Sequence, residues 1–229
     1  MERGHGKGLA MSKPSPAQAT ALRQAVVATA QAMSQRGLSP GRSGNVSTRS
    51  QAGMLITPSG MPYDAITPAD IVYVDGEGEA AVGSHKPSSE WRFHLAAYAA
   101  RPDIGAIVHT HSLHATVLAC AHKPIPAFHY MVAVAGGADI PCVPYATFGS
   151  EALTGHVVEG LRHRNACLMA NHGAIAVAGS LAAALELAAD VEVLSEQYFK
   201  VLLLGQPKLL DTDEMARVLA KFRSYGQQA

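Results

Sequence analysis

Short β-branched runs, each bounded by glycine, proline or aspartate, constrain the fold of this chain more than any other feature of its sequence. Between residues 44 and 82 these runs predict strands joined by tight turns. Segments with helical spacing lie on both sides of this stretch. Runs of strands between flanking helices are typical of layered α/β proteins. We therefore predict an α/β fold, a three-layer α/β/α sandwich with a mainly antiparallel central sheet.

Apolar periodicity and cap residues locate the remaining elements. The predicted helices cover residues 17–36, 89–100, 115–121, 151–162 and 181–204. Further strands are predicted at residues 104–108, 166–169 and 174–177, and residues 131–143 are expected to alternate between strand and loop. The chain has 229 residues, 48% of them hydrophobic, which favours one sizeable core. Residues 1–16 are predicted to be a disordered N-terminal extension, and residues 17–229 a single domain.

Charge and cysteine content narrow the class of protein. Lys plus Arg and Asp plus Glu both total 18, so the formal net charge is zero, and the sequence has no basic stripe. Nucleic acid and membrane are therefore not expected as partners. Three widely spaced cysteines in apolar surroundings favour a reducing compartment over a disulfide framework. With no signal peptide or membrane span predicted, we expect a cytoplasmic protein.

Two histidines one residue apart, His109 and His111, close a β-branched run. Residues two apart in a strand face the same side, so both imidazoles can reach one ion. Such a pair alone is equally typical of hydrogen-bonded strand residues. His172, set between two apolar runs, is the candidate third ligand, and three protein ligands are typical of catalytic zinc. We interpret His94 as a packing residue with its polar atoms satisfied, and not as a ligand.

Glu90 follows Ser88 and Ser89 at the start of a predicted helix. The helix dipole alone favours an acidic residue there. Two hydroxyls at a helix N-terminus also form an anion site beside a carboxylate, which can act as metal ligand or as base. Glycine turns at residues 41–47 and 57–60 offer similar donors, although such residues are common in any turn. Three such turns without a nucleotide-binding loop predict a phosphate held without a nucleotide.

Together these stretches resemble the class II aldolase and adducin family from about residue 17 to residue 226. The resembling segments are SGNVS, MLITPSGMPYD, PSSEWRFHLAAYAARPD, AIVHTHSLHAT, IPAFHYMVAVAGG, IPCVPYATFG, NHGAIA and KFRSYG. The paired histidines and the later His-Gly are shared across that family. SSEWRFH, HYM followed by GG, and PYATFG are similar to its sugar-phosphate aldolases. Residues 204–214 match only loosely, and Asn171 before His172 is a departure.

The resemblance implies a zinc ion (Zn2+) bound by His109, His111 and His172. Glu90 would be a further ligand without substrate and the proton acceptor and donor during the reaction. Tyr130 would come from a neighbouring subunit of a homotetramer, with active sites at subunit interfaces, and act on the aldehyde oxygen. The implied phosphate site consists of neutral donors: Gly44, Asn45, Ser59, Gly60, Ser88 and Ser89. The implied aldehyde pocket consists of Phe148, Phe222 and Tyr225.

The implied reaction cleaves a ketose 1-phosphate, such as L-fuculose 1-phosphate, into dihydroxyacetone phosphate and a small aldehyde such as L-lactaldehyde. A metal can stabilise the enediolate left by this cleavage without a Schiff-base lysine, and neither Lys86 nor Lys123 lies in an apolar strand. The alternatives within the family are a 5-deoxyribulose or methylthioribulose 1-phosphate aldolase, a ribulose phosphate 4-epimerase and a methylthioribulose phosphate dehydratase. A non-catalytic adducin-like binding module is less consistent with a full set of ligands and acid–base groups.

Overall fold

A computed structural model describes residues 16–222 of the chain, and in this part seven strands form one sheet. In chain order, β1 to β7 are Asn45–Ser50, Gly53–Ile56, Val72–Val74, Ala106–Thr110, Cys142–Val143, Ala166–Met169 and Gly173–Ala178. The helices α1 to α6 are Pro16–Gln35, Trp91–Ala100, Leu113–Cys120, Glu151–Gly160, Leu181–Leu204 and Thr212–Phe222. A 3₁₀-helix spans Tyr130–Ala135.

The sheet has the strand order β3-β2-β1-β4-β7-β6-β5. All neighbouring strands pair antiparallel except β5 and β6, which are parallel. Side chains alternate across the sheet, so Val108 of β4 packs with α1, α3 and α5, whereas Ile107 packs with α2 and α4. Helices therefore cover both faces, and the predicted three-layer α/β/α sandwich is confirmed.

Strand β4 lies at the centre of this sheet, and all five of its residues are buried. A strand covered on both faces is expected to be continuously apolar. Its last residues break that rule, because His109 and Thr110 are buried polar groups. β1 and β7 flank β4, pairing Asn45 and Ile175 with His109. The register of the sheet thus brings polar residues of β1 and β4 together at one end.

One prediction from sequence needs correction, and one helix was not predicted. Residues 131–143 begin as the 3₁₀-helix Tyr130–Ala135 and contain only the two-residue strand β5. Helix α6 was not predicted, although Met215 and Val218 on it are buried against Ala133. The sequence does contain helix signals there, namely an N-cap candidate at Asp211 and apolar residues that follow at helical spacing. In the structure the Asp211 carboxylate accepts a hydrogen bond from the Glu214 backbone N–H at 2.7 Å.

The two ends of the chain concern the predicted N-terminal extension and the predicted aldehyde pocket. Helix α1 begins at Pro16, the last residue of the predicted extension, and proline is favoured in a first helical turn. Residues 1–15 of the extension and Tyr225 of the predicted aldehyde pocket lie outside the described residues. Among residues 16–222, none of the helices combines the length and apolar composition needed to cross a bilayer.

Candidate metal centre and active site

Glu90, His109, His111 and His172 meet at the end of β4, with one potential ligand atom of each within 4.8 Å of the others. Glu90 Oε2 lies 3.1 Å from His109 Nε2, and Glu90 Oε1 lies 3.0 Å from His172 Nε2. The Nε2 atoms of His109 and His111 are 2.9 Å apart. These are the four residues predicted as metal ligands.

A backbone contact fixes the imidazole of His109. The side chain is fully buried, and Nδ1 lies 2.8 Å from the carbonyl oxygen of Ala174 on β7. A carbonyl can only accept, so the Nδ1–H donates and Nε2 is the ring nitrogen that faces the other candidate ligands. Burial, followed by the neighbouring His109 and His172, lowers the pKa of His111 to about 3. His111 is therefore neutral at pH 7, as a metal ligand requires.

The tight turn between β6 and β7 places His172. The His172 backbone N–H donates to the Met169 carbonyl at 3.0 Å, and Asn171 has a left-handed φ of 54°. Asparagine tolerates this conformation better than other non-glycine residues, which gives the departure at Asn171 a physical reason. Gly173 follows because a Cβ there would lie 2.3 Å from the Thr110 carbonyl oxygen. Thus the Asn-His-Gly sequence directs the imidazole towards β4.

The Glu90 carboxylate is buried directly before α2. Burial by itself raises the pKa of Glu90, but His109 and His172 outweigh it, so the net pKa is well below the ordinary value. Oε2 accepts a hydrogen bond from Asn45 Nδ2 at 2.9 Å. Oε1 is buried and has no hydrogen bond of good geometry, despite its closeness to His172.

The donor set fits a metal ion. The Nε2 atoms of the three histidines and the Glu90 carboxylate face one another at 2.9–3.1 Å, an arrangement in which one cation can accept a lone pair from each group. Ligand atoms at zinc distances of 2.0–2.2 Å in a tetrahedron lie roughly 3.3–3.6 Å apart, close to these separations. The buried Oε1 of Glu90, which has no hydrogen-bond partner, is a second sign that the site suits a cation. These residues can bind a metal ion.

A cavity of about 310 Å³ opens beside this cluster. Its walls include Glu90, His111, His172 and Phe148. The three glycine- and serine-containing turns also line it, with all six predicted phosphate residues: Gly44, Asn45, Ser59, Gly60, Ser88 and Ser89. Two of these turns are joined, since Ser59 N–H donates to Lys86 O at 2.9 Å and Ser88 N–H donates to Thr57 O at 3.0 Å. The predicted phosphate turns therefore share one cavity with three of the four candidate metal ligands, Glu90, His111 and His172.

Gly44 allows the first of these turns to approach β4. Its φ is 78°, and a Cβ would lie 2.6 Å from the His109 carbonyl oxygen. The Tyr63 hydroxyl donates to the carbonyl oxygens of Ser43 and Gly44 at 2.8 and 2.7 Å. Burial raises the pKa of Tyr63, so the hydroxyl keeps the proton that it donates. The turn is thus held against the strand that carries two metal ligands.

Two residues of this cavity were missed by sequence reasoning. Arg42 lines it and donates from Nη1 to the Gly60 carbonyl at 3.1 Å, so the turns are not lined by neutral donors alone. Tyr145, just before Phe148, also lines it and is exposed. Arg42 lies in the predicted glycine turn at residues 41–47, and Tyr145 lies in the quoted segment PYATFG. A cation in a predicted phosphate turn is the signal that could have identified Arg42.

Tyr130 and Phe222 lie elsewhere. Both line a second, more apolar cavity between the 3₁₀-helix and α6, with Phe128 and Val218. Tyr130 is 50% exposed. Within one chain the structure does not bring these two aromatic residues to the cavity that holds Glu90.

His94 is a packed residue whose polar atoms are satisfied, and it lies outside the group of candidate ligands. It stacks on Phe93 with ring centroids 4.8 Å apart, but both its nitrogens also make polar contacts, with Ser47 and Asn45. Burial, followed by the neighbouring His109, lowers the pKa of His94 to about 3. The imidazole is therefore a neutral, hydrogen-bonded group in the interior of the protein.

Comparison with known proteins agrees with this geometry. The model of the class II aldolase and adducin N-terminal domain matches residues 24–199. A 5-methylthioribulose-1-phosphate/5-deoxyribulose-1-phosphate aldolase of Rhodospirillum rubrum is 50% identical over 214 residues, covering 93% of this chain and 96% of the relative. An L-fuculose phosphate aldolase of Escherichia coli is 48% identical over 206 residues, covering 90% and 95%. A solved L-fuculose 1-phosphate aldolase has a TM-score of 0.86 at 37% identity, covering 92% and 98%.

The similarity covers nearly the whole length of the two curated relatives, so it is not confined to a short motif. It spans the sheet and every described element that contributes a metal-ligand candidate. The chain therefore belongs to the class II aldolase and adducin family, and within it to the class II aldolases.

Proposed function

We propose that this enzyme is a zinc-dependent aldolase that cleaves a ketose 1-phosphate, with L-fuculose 1-phosphate as the first candidate, into dihydroxyacetone phosphate and a small aldehyde. One observation carries the proposal: Glu90, His111 and His172 line the same cavity as three turns rich in hydroxyl and backbone donors, and the buried His109 contacts Glu90 directly behind the cavity wall. A substrate with a phosphate at one end and vicinal oxygens nearby is the kind of ligand that matches both sets of groups.

The proposed metal is zinc, held by His109, His111 and His172, with Glu90 as a further ligand before substrate binds. Imidazole nitrogens with one carboxylate are a ligand set typical of catalytic zinc, although they also suit other divalent metals. When bound, the ion supplies Lewis acidity towards substrate oxygens. The strand and turn contacts described above hold the imidazoles in place without substrate.

The phosphate is proposed to bind at Gly44, Asn45, Ser59, Gly60, Ser88 and Ser89. Arg42 adds a positive charge on the same wall. A guanidinium forms stronger hydrogen bonds with phosphate than neutral donors do. We therefore expect Arg42 to contribute to the affinity for phosphorylated substrates.

Glu90 and Tyr130 are proposed to move the protons. During cleavage Tyr130, as a phenolate, takes the proton of the C4 hydroxyl, the bond between C3 and C4 breaks, and C4 becomes the aldehyde carbonyl. The electron pair of that bond passes into the enediolate, and Glu90, after taking up a proton from solvent, gives that proton to carbon; Tyr130 releases its own proton to solvent and completes the cycle. A carboxylate that exchanges contacts with a metal for contacts with substrate can act in this way.

Tyr130 is proposed to reach the site from a neighbouring subunit of a homotetramer. Its half-exposed side chain and its distance in the fold from Glu90 support this. Large apolar side chains of α3, Leu113 and Val117, are also exposed, and exposed apolar groups mark association surfaces. Phe222, Tyr225 and Phe148 would then line the aldehyde side. Free thiols at all three cysteines are consistent with a cytoplasmic location.

A second candidate is the cleavage of 5-deoxyribulose or methylthioribulose 1-phosphate, favoured by the relative at 50% identity. The two candidates differ only in the aldehyde released. The test is to supply each ketose 1-phosphate separately and measure kcat/KM for dihydroxyacetone phosphate release. Release from L-fuculose 1-phosphate at the highest kcat/KM supports the first candidate, and preference for a ribulose derivative supports the second. Epimerised or dehydrated products without dihydroxyacetone phosphate would contradict both.

A further inference from the structure

Five polar side chains form a continuous buried chain that ends at Glu90, and we refer to these residues as the polar chain. Its members are Tyr98, Ser47, His94, Asn45 and Glu90. Each is at most 6% exposed, and Ser47 and His94 are fully buried. Burying so many polar groups costs free energy unless all are hydrogen-bonded, so their arrangement calls for a physical reason.

The hydrogen atoms of the polar chain can be assigned from Glu90 outward. The carboxylate Oε2 only accepts, so Asn45 donates from Nδ2 at 2.9 Å. Asn45 Oδ1 then accepts from His94, whose proton must be on Nε2. His94 Nδ1 therefore accepts from the Ser47 hydroxyl at 2.7 Å, and Ser47 Oγ accepts from the Tyr98 hydroxyl at 2.9 Å. Every donor points towards Glu90.

This order of donors and acceptors fixes which way round the Asn45 amide group lies. If the amide were rotated by half a turn, its NH₂ group would face the His94 Nε2–H and its oxygen would face the Glu90 carboxylate. Both contacts would be repulsive, so the protonated nitrogen of His94 selects one orientation of Asn45. Asn45 is in turn the hydrogen-bond donor that holds Glu90 Oε2 beside His109.

We propose that His94 is a positioning residue, which acts through Asn45 to hold the Glu90 carboxylate in the orientation that metal binding and proton transfer require. Groups that orient metal ligands typically change metal affinity or activity by about 10- to 100-fold when removed. The part of this inference that concerns turnover rests on the proposed aldolase function. The part that concerns metal affinity does not.

The test compares His94→Gln with His94→Leu. Glutamine can place its amide nitrogen near the position of Nε2 and keep the donor to Asn45, whereas leucine removes it. We expect His94→Leu to weaken zinc binding, measured by competition with a chelator, by about 10-fold or more. Its kcat should fall by a similar factor with KM almost unchanged, and His94→Gln should stay within about 3-fold of the unaltered enzyme.

A double-mutant cycle tests whether His94 acts through Asn45. If it does, His94→Leu combined with Asn45→Ala should lower kcat and zinc affinity no further than Asn45→Ala alone. Additive losses would overturn the proposal, as would equal losses in folded His94→Gln and His94→Leu enzymes. If the unaltered enzyme released no dihydroxyacetone phosphate, the proposed function would fail while the zinc-affinity comparison still decided this inference.

Nitrogen NMR of the unaltered protein provides a test that does not depend on the folding of any variant. Imidazole ¹⁵N shifts distinguish a protonated from an unprotonated ring nitrogen. The polar chain requires His94 to carry its proton on Nε2, with Nδ1 unprotonated. A proton on Nδ1 would reverse the assignment at Asn45 and overturn the proposal.

Discussion

Asn45 and His109 face each other across the β1–β4 pair, and both reach the same oxygen of Glu90. Asn45 Nδ2 lies 2.9 Å and His109 Nε2 lies 3.1 Å from Glu90 Oε2. Because strand register sets this pairing, a shift of one residue would turn one of the two side chains to the other face of the sheet. The arrangement of the candidate metal ligands thus depends on how closely the turn before β1 packs against β4.

Gly44→Ala should therefore destabilise the protein strongly. The new Cβ would lie 2.6 Å from the His109 carbonyl oxygen at a residue whose φ is 78°. Left-handed backbone and overpacking each cost about 1–3 kcal/mol, so we expect a loss of roughly 3 kcal/mol or more in the free energy of unfolding. Gly37→Ala is the matched control, because φ there is 72° but the Cβ has no neighbour within 4 Å. Equal losses in urea unfolding would contradict the steric account.

Glu90→Gln should retain zinc and lose turnover. Glutamine has the same shape, and three histidines remain as ligands, but the amide cannot accept and return a proton. General acid–base catalysis contributes about 10²- to 10⁴-fold, so kcat should fall by at least about 100-fold. Steady-state kinetics and metal analysis measure the two effects, with the exposed Glu159→Gln as control. A Glu90→Gln enzyme with normal kcat would remove Glu90 from the proposed proton transfer.

Arg42→Ala should raise KM for the ketose phosphate while leaving kcat nearly unchanged, as expected when uniform binding is removed. A hydrogen bond from a charged group is worth about 1.5–3 kcal/mol, which corresponds to roughly a 10- to 100-fold rise in KM. Arg162→Ala, at an exposed residue just after α4, is the control. The Arg42 effect should shrink as salt is added. An unchanged KM at low ionic strength would exclude Arg42 from the phosphate site.

Metal-free protein should lose stability as the pH falls below 6.5. Burial lowers the pKa of His94 to about 3, so between pH 6.5 and pH 3 the unfolded chain binds a proton that the folded protein does not. For this one group the free energy of unfolding should fall by about 2 kcal/mol between pH 7 and pH 5.

Replacing His94 tests the origin of that pH dependence. The His94→Gln variant should lose less stability than the unaltered protein over the same interval. The exposed His163→Gln should follow the unaltered protein. Urea unfolding at several pH values measures the three slopes. The same slope for all three proteins would assign the acid sensitivity to other groups.

Local patterns were sufficient to predict β4 and helices on both faces and to single out the three histidines as candidates, whereas the full set of four ligands was implied by the family resemblance. The alternation of β-branched runs and the spacing of His109 and His111 are properties of short segments. Arg42 and the link between Asn45 and Glu90 depend on side-chain directions within packed turns, which residue types alone do not determine. Helix α6 was missed because its apolar stripe is short and packs on a separate cluster. One chain does not bring Tyr130 to the cavity that holds Glu90, so its contribution from a neighbouring subunit stays a prediction.

The most direct test of the proposed function is a coupled assay of dihydroxyacetone phosphate release from L-fuculose 1-phosphate. The enzyme would be assayed as purified, after chelation, and after restoration of zinc, with the zinc content measured each time. We predict release that chelation abolishes and zinc restores. Absence of release with zinc demonstrably bound, or release that persists after the metal is removed, would contradict the proposal of a zinc-dependent aldolase for this substrate.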